Sequence, residues 1–129
     1  MKFTANNMKN KKVTILGAGL SGNAASKLAS FLGAKIFLSD NTKRAGSIST
    51  NISSEIGIHS EKCLDCDFVI ISPGIPKTIP ILTEMKNSDI PIIGEIEFAS
   101  WFTNSPIIGI TGSNGKSTPV SILKKIFNK

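Results

Sequence analysis

The sequence predicts an α/β fold in which helices cover both faces of a parallel sheet. Three observations support this prediction. Short runs of apolar and β-branched residues recur along the chain, as in Lys12–Leu16 and Phe68–Ile71. Segments with apolar residues at helical spacing alternate with these runs. Two glycine-rich stretches each follow an apolar run and precede a helical segment, as in the strand-to-helix turns of parallel sheets.

The first third of the chain predicts a strand–helix–strand unit. Glycines close a strand over Lys12–Leu16, and the helix that follows over Leu20–Phe31 has apolar residues every three to four positions. Gly33 lies just past this helix, where a left-handed cap belongs. A second strand over 35–39 ends at Asp40. A unit of about 30 residues of this kind places its two strands parallel.

The rest of the chain continues the alternation with patterns of unequal strength. Residues 41–54 are polar and rich in Ser, Thr and Asn, which predicts a loop with at most a helical turn. The later predicted elements are a short strand at 56–59, a buried strand at Phe68–Ile71, a helix at Pro80–Asn87, a strand at 91–93, a helix at 95–102, a buried strand at 107–110 and a final helix. A turn at 103–106 suggests a domain boundary near Asn104.

Composition and charge argue against several classes of protein. With 40% hydrophobic and 19% charged residues, the chain has the composition of a folded globular domain. Its apolar runs are far shorter than the ~20 residues that span a bilayer, so we expect a cytoplasmic protein with no membrane partner. Many of the lysines behind the net charge of +6 lie at the chain ends without interleaved aromatic residues. We therefore expect no nucleic-acid partner.

The first glycine stretch, "GAGLSG", has the spacing of a Rossmann-like phosphate-binding turn. Gly17 permits the tight turn, Gly19 permits close approach of a ligand, and Gly22 permits packing of the helix on the strand. The free N–H groups of the following helix suit a diphosphate. Asp40, 18 residues beyond Gly22, could accept hydrogen bonds from a ribose hydroxyl or a base edge. These features fit NAD and any nucleoside diphosphate equally well.

The second glycine stretch, "TGSNGKST", is typical of a triphosphate site. Its backbone N–H groups can bind phosphate oxygens, the Lys116 ammonium can neutralise the terminal phosphates, and the hydroxyl of Ser117 or Thr118 can bind Mg²⁺. Ile110 occupies the place of the first glycine of the usual P-loop spacing. Pro119 falls where the next helix should make its first bonds, and its ring would clash with a carbonyl one turn back unless the helix begins late.

Cys63 and Cys66 form a Cys-x-x-Cys pair with His59 nearby in the sequence. A redox pair should follow a strand and open a helix, whereas this pair precedes a strand, and no second cysteine pair completes a zinc site. We therefore expect ordinary reduced thiols.

Five motifs occur in order over nearly the whole chain: "VTILGAGLSG", "LSDNTK", "VIISPGIP", "IIGEIEF" and "GITGSNGKST". Together they resemble the bacterial Mur ligases, and "SPGIP" and "GEIE" point to the branch that adds D-glutamate. The resemblance implies an ATP- and Mg²⁺-dependent ligase of peptidoglycan precursor synthesis. Such an enzyme joins D-glutamate to UDP-N-acetylmuramoyl-L-alanine through an acyl phosphate.

The resemblance also implies roles for individual residues. The UDP part of the substrate would be bound by Gly17, Gly19, Leu20, Ser21, Gly22, Asp40, Asn41, Thr42, Ser72, Pro73 and Gly74. ATP would be bound by Gly112, Ser113, Asn114, Gly115, Lys116, Ser117 and Thr118, with Lys116 catalytic and Ser117 and Thr118 as metal ligands.

The two glycine stretches predict two domains of unequal completeness. Residues 1–104 would form the Rossmann-like domain that binds the UDP substrate, and residues 105–129 would begin the central ATP-binding domain. Members of the family continue well beyond this point, so we expect an N-terminal fragment, made by engineering or by truncation of the gene. It should bind the UDP substrate without turnover, and its incomplete last segment could self-associate.

The sequence is also compatible with two other functions. The chain could be a stand-alone nucleotide-binding module without catalysis. It could also be the cofactor domain of an NAD(P)-dependent dehydrogenase, although hydride transfer has no use for a triphosphate loop.

Overall fold

A computed structural model gives the structure and describes residues 7–42 and 52–128. The elements in chain order are β1 (Lys12–Leu16), α1 (Leu20–Phe31), β2 (Lys35–Asp40), β3 (Ser53–Ile56), a 3₁₀ helix (Glu61–Leu64), β4 (Phe68–Ile71), α2 (Pro80–Asn87), β5 (Ile92–Gly94), α3 (Glu95–Ser100) and α4 (Ser117–Phe127). Within these described ranges no helix has the length and apolar character needed to cross a membrane.

The five strands form one parallel sheet in the order β3-β2-β1-β4-β5. β1 is central: its Val13 is paired with Ile36 of β2 on one side and with Phe68 of β4 on the other. The chain therefore winds away from β1 in one direction and then crosses over to wind in the other. Sheets of this kind bind ligands at the carboxyl edge, where the two directions separate. The predicted Rossmann-like α/β architecture is confirmed.

Both faces of the sheet are covered, which explains why β4 is a continuous apolar run and why β1 is apolar apart from Lys12 and Thr14. One core forms on the face covered by α1 and α3 and includes Ile15, Phe68 and Phe98. The opposite core, on the face covered by α2 and the 3₁₀ helix, includes Leu16 and Met85. Adjacent residues of β1 thus belong to opposite cores, as the alternation of strand side chains requires.

The third strand lies earlier than predicted, at Ser53–Ile56 and not at 56–59. Its polar residues have a weak sequence pattern because β3 is the edge strand and pairs with β2 alone. The pairing places Ser53 opposite Phe37 and Glu55 opposite Ser39. Most of the loop predicted over 41–54 lies outside the described residues.

The buried strand predicted at 107–110 is wrong. Residues 102–116 contain no strand, and the side chains of Ile107 and Ile108 are 62% and 58% exposed. An apolar run becomes a buried strand only when a neighbouring strand accepts its backbone hydrogen bonds, and the described sheet ends at β5.

The final helix, α4, begins at Ser117 and has no buried residue. Pro119 is its third residue, and the N–H of the next residue, Val120, donates to the Lys116 carbonyl at 3.3 Å. A proline in the first turn needs no N–H, so Pro119 fits this helix and the expected clash does not arise. Self-association through this segment stays a prediction.

Candidate functional site at the carboxyl edge of the sheet

Four strands deliver polar or glycine residues to one edge of the sheet. Gly17 follows β1, Asp40 ends β2, Ser72 follows β4, and Glu95 follows β5. The N-terminus of α1 lies at the same edge because α1 begins three residues after Gly17. The structure therefore brings together the predicted UDP residues of the first glycine stretch, of β2 and of the Ser-Pro-Gly turn.

Packing leaves no room for a side chain at two glycines of the turn, Gly17 and Gly22. Gly17 has a φ of +106°, and a Cβ there would lie 2.7 Å from the Ser72 Oγ. A Cβ on Gly22 would lie 1.9 Å from the Gly17 carbonyl oxygen. Asn23, which the motif did not identify, donates from its side-chain amide to the carbonyls of Ala18 (2.6 Å) and Gly19 (3.0 Å). The turn and the first turn of α1 thus form one rigid unit.

The start of α1 is open. Gly19 is the N-cap, no side chain caps the helix, and its first turn has no acidic residue. A Cβ on Gly19 would meet no described protein atom within 4 Å, so packing alone does not require glycine there. The side chain of Leu20 is 94% exposed. Uncapped N–H groups at the positive end of the helix dipole form a site suited to an anion.

Asp40 connects the glycine turn to the segment after β2. One carboxylate oxygen accepts a hydrogen bond from the Ala18 N–H at 2.6 Å, and the other accepts from the N–H and hydroxyl of Thr42, both at 2.7 Å. Burial, the largest single influence, raises the pKa of Asp40, but these hydrogen bonds together outweigh it and hold the pKa below its usual value. In this structure Asp40 holds the glycine turn in place through its hydrogen bond with the Ala18 N–H.

A polar network next to Asp40 was not found from the sequence. The Glu55 carboxylate accepts from the Ser39 hydroxyl (2.8 Å), from the Ser60 N–H (2.8 Å) and from the Ser60 hydroxyl (2.5 Å). The Ser39 Oγ also lies 2.7 Å from the His59 Nδ1. The His59 Nε2 is buried and has no hydrogen-bond partner among the described residues. His59 borders a cleft of about 530 Å³ beside Asn41 and Pro80.

His59 predicts a specific acid sensitivity. Burial lowers its pKa from the ordinary value of 6.5, although the charges of Asp40 and Glu55 oppose this. His59 therefore binds a proton more readily in the unfolded chain than in the folded chain. As a result, the free energy of unfolding should fall as the pH drops from 7 to 5. His59 is the one histidine of the chain. Asp40 and Glu55, whose pKa values are lowered, lose their stabilising effect only at more acidic pH.

Urea unfolding at several pH values measures this effect. The wild-type chain should lose stability between pH 7 and 5, whereas His59→Gln should have a nearly flat profile over the same interval. The two proteins are compared by the slope of unfolding free energy against pH. A loss of stability in His59→Gln that is the same at every pH therefore does not affect the comparison. Equal slopes in the two proteins would contradict the assignment.

The two cysteines are free thiols. Burial raises the pKa of Cys63 to about 12 and raises that of Cys66 as well. The Cys63 thiol donates to Glu55 at 3.3 Å. Both thiols are therefore protonated at neutral pH and are poor nucleophiles and poor metal ligands. The described residues contain no group of three or more His, Cys, Asp or Glu side chains that could hold a metal ion.

The second glycine stretch forms a separate exposed turn before α4. Gly112 and Gly115 have φ values of +156° and +74°. The Lys116 ammonium donates to the Gly112 carbonyl across the turn, and Ser117 and Thr118 are the first two residues of α4. No hydrogen bond in the described part of the chain joins this turn to the carboxyl edge of the sheet. The structure thus contains two distinct candidate phosphate sites.

Comparison with known proteins shows the family to which the chain is similar. Residues 11–94 match the family model described as Mur ligase MurD-like, N-terminal domain. The chain is 41% identical over 132 residues to a UDP-N-acetylmuramoylalanine–D-glutamate ligase of Chloroherpeton thalassium, and it covers 28% of that protein. It is 40% identical over 131 residues to the enzyme of the same name from Elusimicrobium minutum, of which it covers 29%. These matches involve 97% and 98% of this chain.

A solved structure of shikimate dehydrogenase from Aquifex aeolicus overlaps 74% of this chain and 46% of its own, at 17% identity and a TM-score of 0.47. That overlap is too low to bear on function. The family match, by contrast, covers β1 to β5 and includes the glycine turn, Asp40 and the Ser-Pro-Gly turn. The chain therefore belongs to the MurD-like Mur ligases and contains their N-terminal domain.

Proposed function

We propose that this chain is the substrate-binding part of a cytoplasmic ligase that adds D-glutamate to UDP-N-acetylmuramoyl-L-alanine during peptidoglycan precursor synthesis. Its relatives carry that activity in their names, and the chain spans less than a third of their length. In this proposal residues 1–104 bind the UDP substrate, and residues 105–129 begin the ATP-binding domain. The observation that carries it is the open N-terminus of α1 beside Asp40 at the carboxyl edge.

The diphosphate of the substrate would lie against the start of α1. The N–H groups of Leu20, Ser21 and Gly22 are the helical donors that remain free of side-chain caps there. The space in front of Gly19 is open, which leaves room for phosphate oxygens. Because the turn is rigid, little conformational entropy is lost when an anion binds.

The uridine would lie toward the end of β2. Asp40 fixes the position of Thr42, and Asn41 borders the adjoining cleft. Pro73 and Gly74 form a turn after β4, closed by a hydrogen bond from the Ile75 N–H to the Ser72 carbonyl at 3.0 Å. These segments flank the glycine turn on both sides and could enclose a nucleotide between them.

The second glycine stretch would hold ATP and Mg²⁺ once the rest of its domain is present. Its residues fit the groups: the backbone of the turn precedes a helix N-terminus, and the hydroxyls of Ser117 and Thr118 are hard oxygen ligands of the kind that Mg²⁺ prefers. ATP supplies the phosphoryl group that activates the alanine carboxylate toward the amine of D-glutamate. Lys116 would exchange the Gly112 carbonyl for phosphate oxygens and neutralise their charge.

A calorimetric titration tests the proposal. The chain should bind UDP-N-acetylmuramoyl-L-alanine saturably and should not bind NADH, the ligand of a dehydrogenase cofactor domain. The variant Asp65→Ala, at an exposed ion pair with Lys12 on the amino edge, is the control and should bind like wild type. Binding of NADH alone would overturn the proposal. Release of ADP by this chain in the presence of D-glutamate would overturn the expectation that it lacks turnover.

A further inference from the structure

We propose that Glu95 is a positioning residue for the nucleotide site: it orients the Ser72 side chain, and Ser72 in turn holds the glycine turn in its phosphate-binding shape. The proposal rests on the function proposed above, and it adds a residue to which neither the glycine motif nor the family match assigns a role.

Ser72 lies at the centre of the turn. Its N–H donates to the Leu16 carbonyl at 3.0 Å, which continues the pairing of β4 with β1 beyond the last strand residue. Its Oγ is the nearest atom to the Cβ position of Gly17, at 2.7 Å, and lies 3.3 Å from that of Gly22. The Ser72 side chain therefore fills the space that the two glycines leave empty.

Glu95 determines where that side chain points. The Ser72 hydroxyl donates to the Glu95 Oε1 in a short hydrogen bond. Glu95 is the first residue of α3, where the helix dipole favours a negative charge. The helix itself is anchored by Phe98, which is fully buried and packs on Phe68 with ring centroids 6.2 Å apart. The carboxylate is thus held on a fixed support beside the turn.

This contact has a consequence for how phosphate binds. A serine hydroxyl has a single proton, and here it is given to the carboxylate. Ser72 therefore has no proton to donate to a phosphate oxygen, so the backbone N–H groups of α1 must do so. Glu95 also places a negative charge near the diphosphate, which opposes binding. Glu95 therefore has two opposite effects on affinity for the diphosphate: it favours binding by orienting Ser72 and opposes binding by its charge. Substitutions of Glu95 can separate these two effects.

The experiment measures UDP affinity in a set of variants made in the full chain. Glu95→Gln keeps an acceptor oxygen for Ser72 and removes the charge, whereas Glu95→Ala removes both. Since both variants are uncharged, charge does not contribute to the ratio of their affinities, and Glu95→Gln should bind UDP about tenfold tighter than Glu95→Ala because it keeps the hydrogen bond. It should bind at least as tightly as wild type, because the repulsion is gone.

The same pair in a Ser72→Ala background is the decisive comparison. Without the hydroxyl, the Gln and Ala variants should bind UDP equally. A tenfold difference that persists without Ser72, or equal affinities when Ser72 is present, would overturn the inference. Glu95→Asp provides a further test should Glu95→Ala fail to fold: it keeps the charge, retracts the carboxylate by one methylene and should weaken binding. If the wild-type chain does not bind UDP at all, the proposed function fails instead.

Discussion

Replacing Gly22 by alanine should disrupt the packing at the carboxyl edge of the sheet and lower the free energy of unfolding by about 3 kcal/mol or more. The new Cβ would lie 1.9 Å from the Gly17 carbonyl oxygen, an atom of the backbone that no rotamer change can move away. Alanine in a helix is otherwise favoured over glycine by about 1 kcal/mol. The higher helix propensity of alanine therefore offsets part of the destabilisation that the clash causes. Urea unfolding monitored by circular dichroism measures the loss.

Gly19→Ala is the matched control for Gly22→Ala. Gly19 has a φ of −69°, which alanine adopts without strain, and its Cβ would meet no described atom within 4 Å. Its stability should therefore change by less than about 0.5 kcal/mol. UDP affinity should nevertheless fall, because the methyl group would occupy the space assigned to phosphate. Unchanged affinity in this variant would show that the ligand does not approach Gly19, and wild-type stability of Gly22→Ala would contradict the packing of the turn.

Replacing Asp40 by alanine is the second change with a large expected effect. The Ala18 N–H that it bonds at 2.6 Å is fully buried and would lose its partner, whereas Thr42 is exposed and can turn to water. An orphaned buried donor costs about 1–3 kcal/mol, and bonds to a charged acceptor are at the upper end. We expect a loss of about 3 kcal/mol in urea unfolding, together with weaker UDP binding because the turn is no longer fixed.

Asp65→Ala is the control for Asp40→Ala, since it removes the same charge from an exposed site. Asp65 bonds the Lys12 ammonium at 2.6 Å, but its side chain is 74% exposed, and such ion pairs contribute about 0–1 kcal/mol. A loss in Asp40→Ala no greater than that in Asp65→Ala would mean that net charge, and not the hydrogen bond to Ala18, sets the effect.

The elements that were predicted correctly are those with a sequence pattern that burial imposes. β4 is apolar throughout and β1 is apolar apart from Lys12 and Thr14, because both faces of the sheet are covered, and α1 and α2 have their apolar residues at helical spacing. β3 has no such pattern, because an edge strand needs only the backbone of β2 to form. The run at 107–110 shows the converse: apolar residues predict a strand, but a strand requires a neighbour.

The same distinction applies to the candidate site. The glycine turn and Asp40 could be located because their roles depend on local spacing in a strand–helix–strand unit. Glu55 and Glu95 could not, because their partners are set by register and packing between strands that are distant in sequence. Glu55 meets Ser39 only through the pairing of β3 with β2. Glu95 meets Ser72 only because β5 pairs with β4.

The central position of β1 also bears on the order in which the molecule folds. Val13 is paired with Ile36 in β2 but with Phe68 in β4, so the second pairing closes a much longer loop. Contacts distant along the chain form more slowly because more chain entropy is lost before they are made. The unit of β1, α1 and β2 should therefore assemble early, with β4 docking later. Since Ser72 arrives with β4, the nascent turn acquires its final shape only at that late step, and a nucleotide present during refolding would bind only the completed sheet.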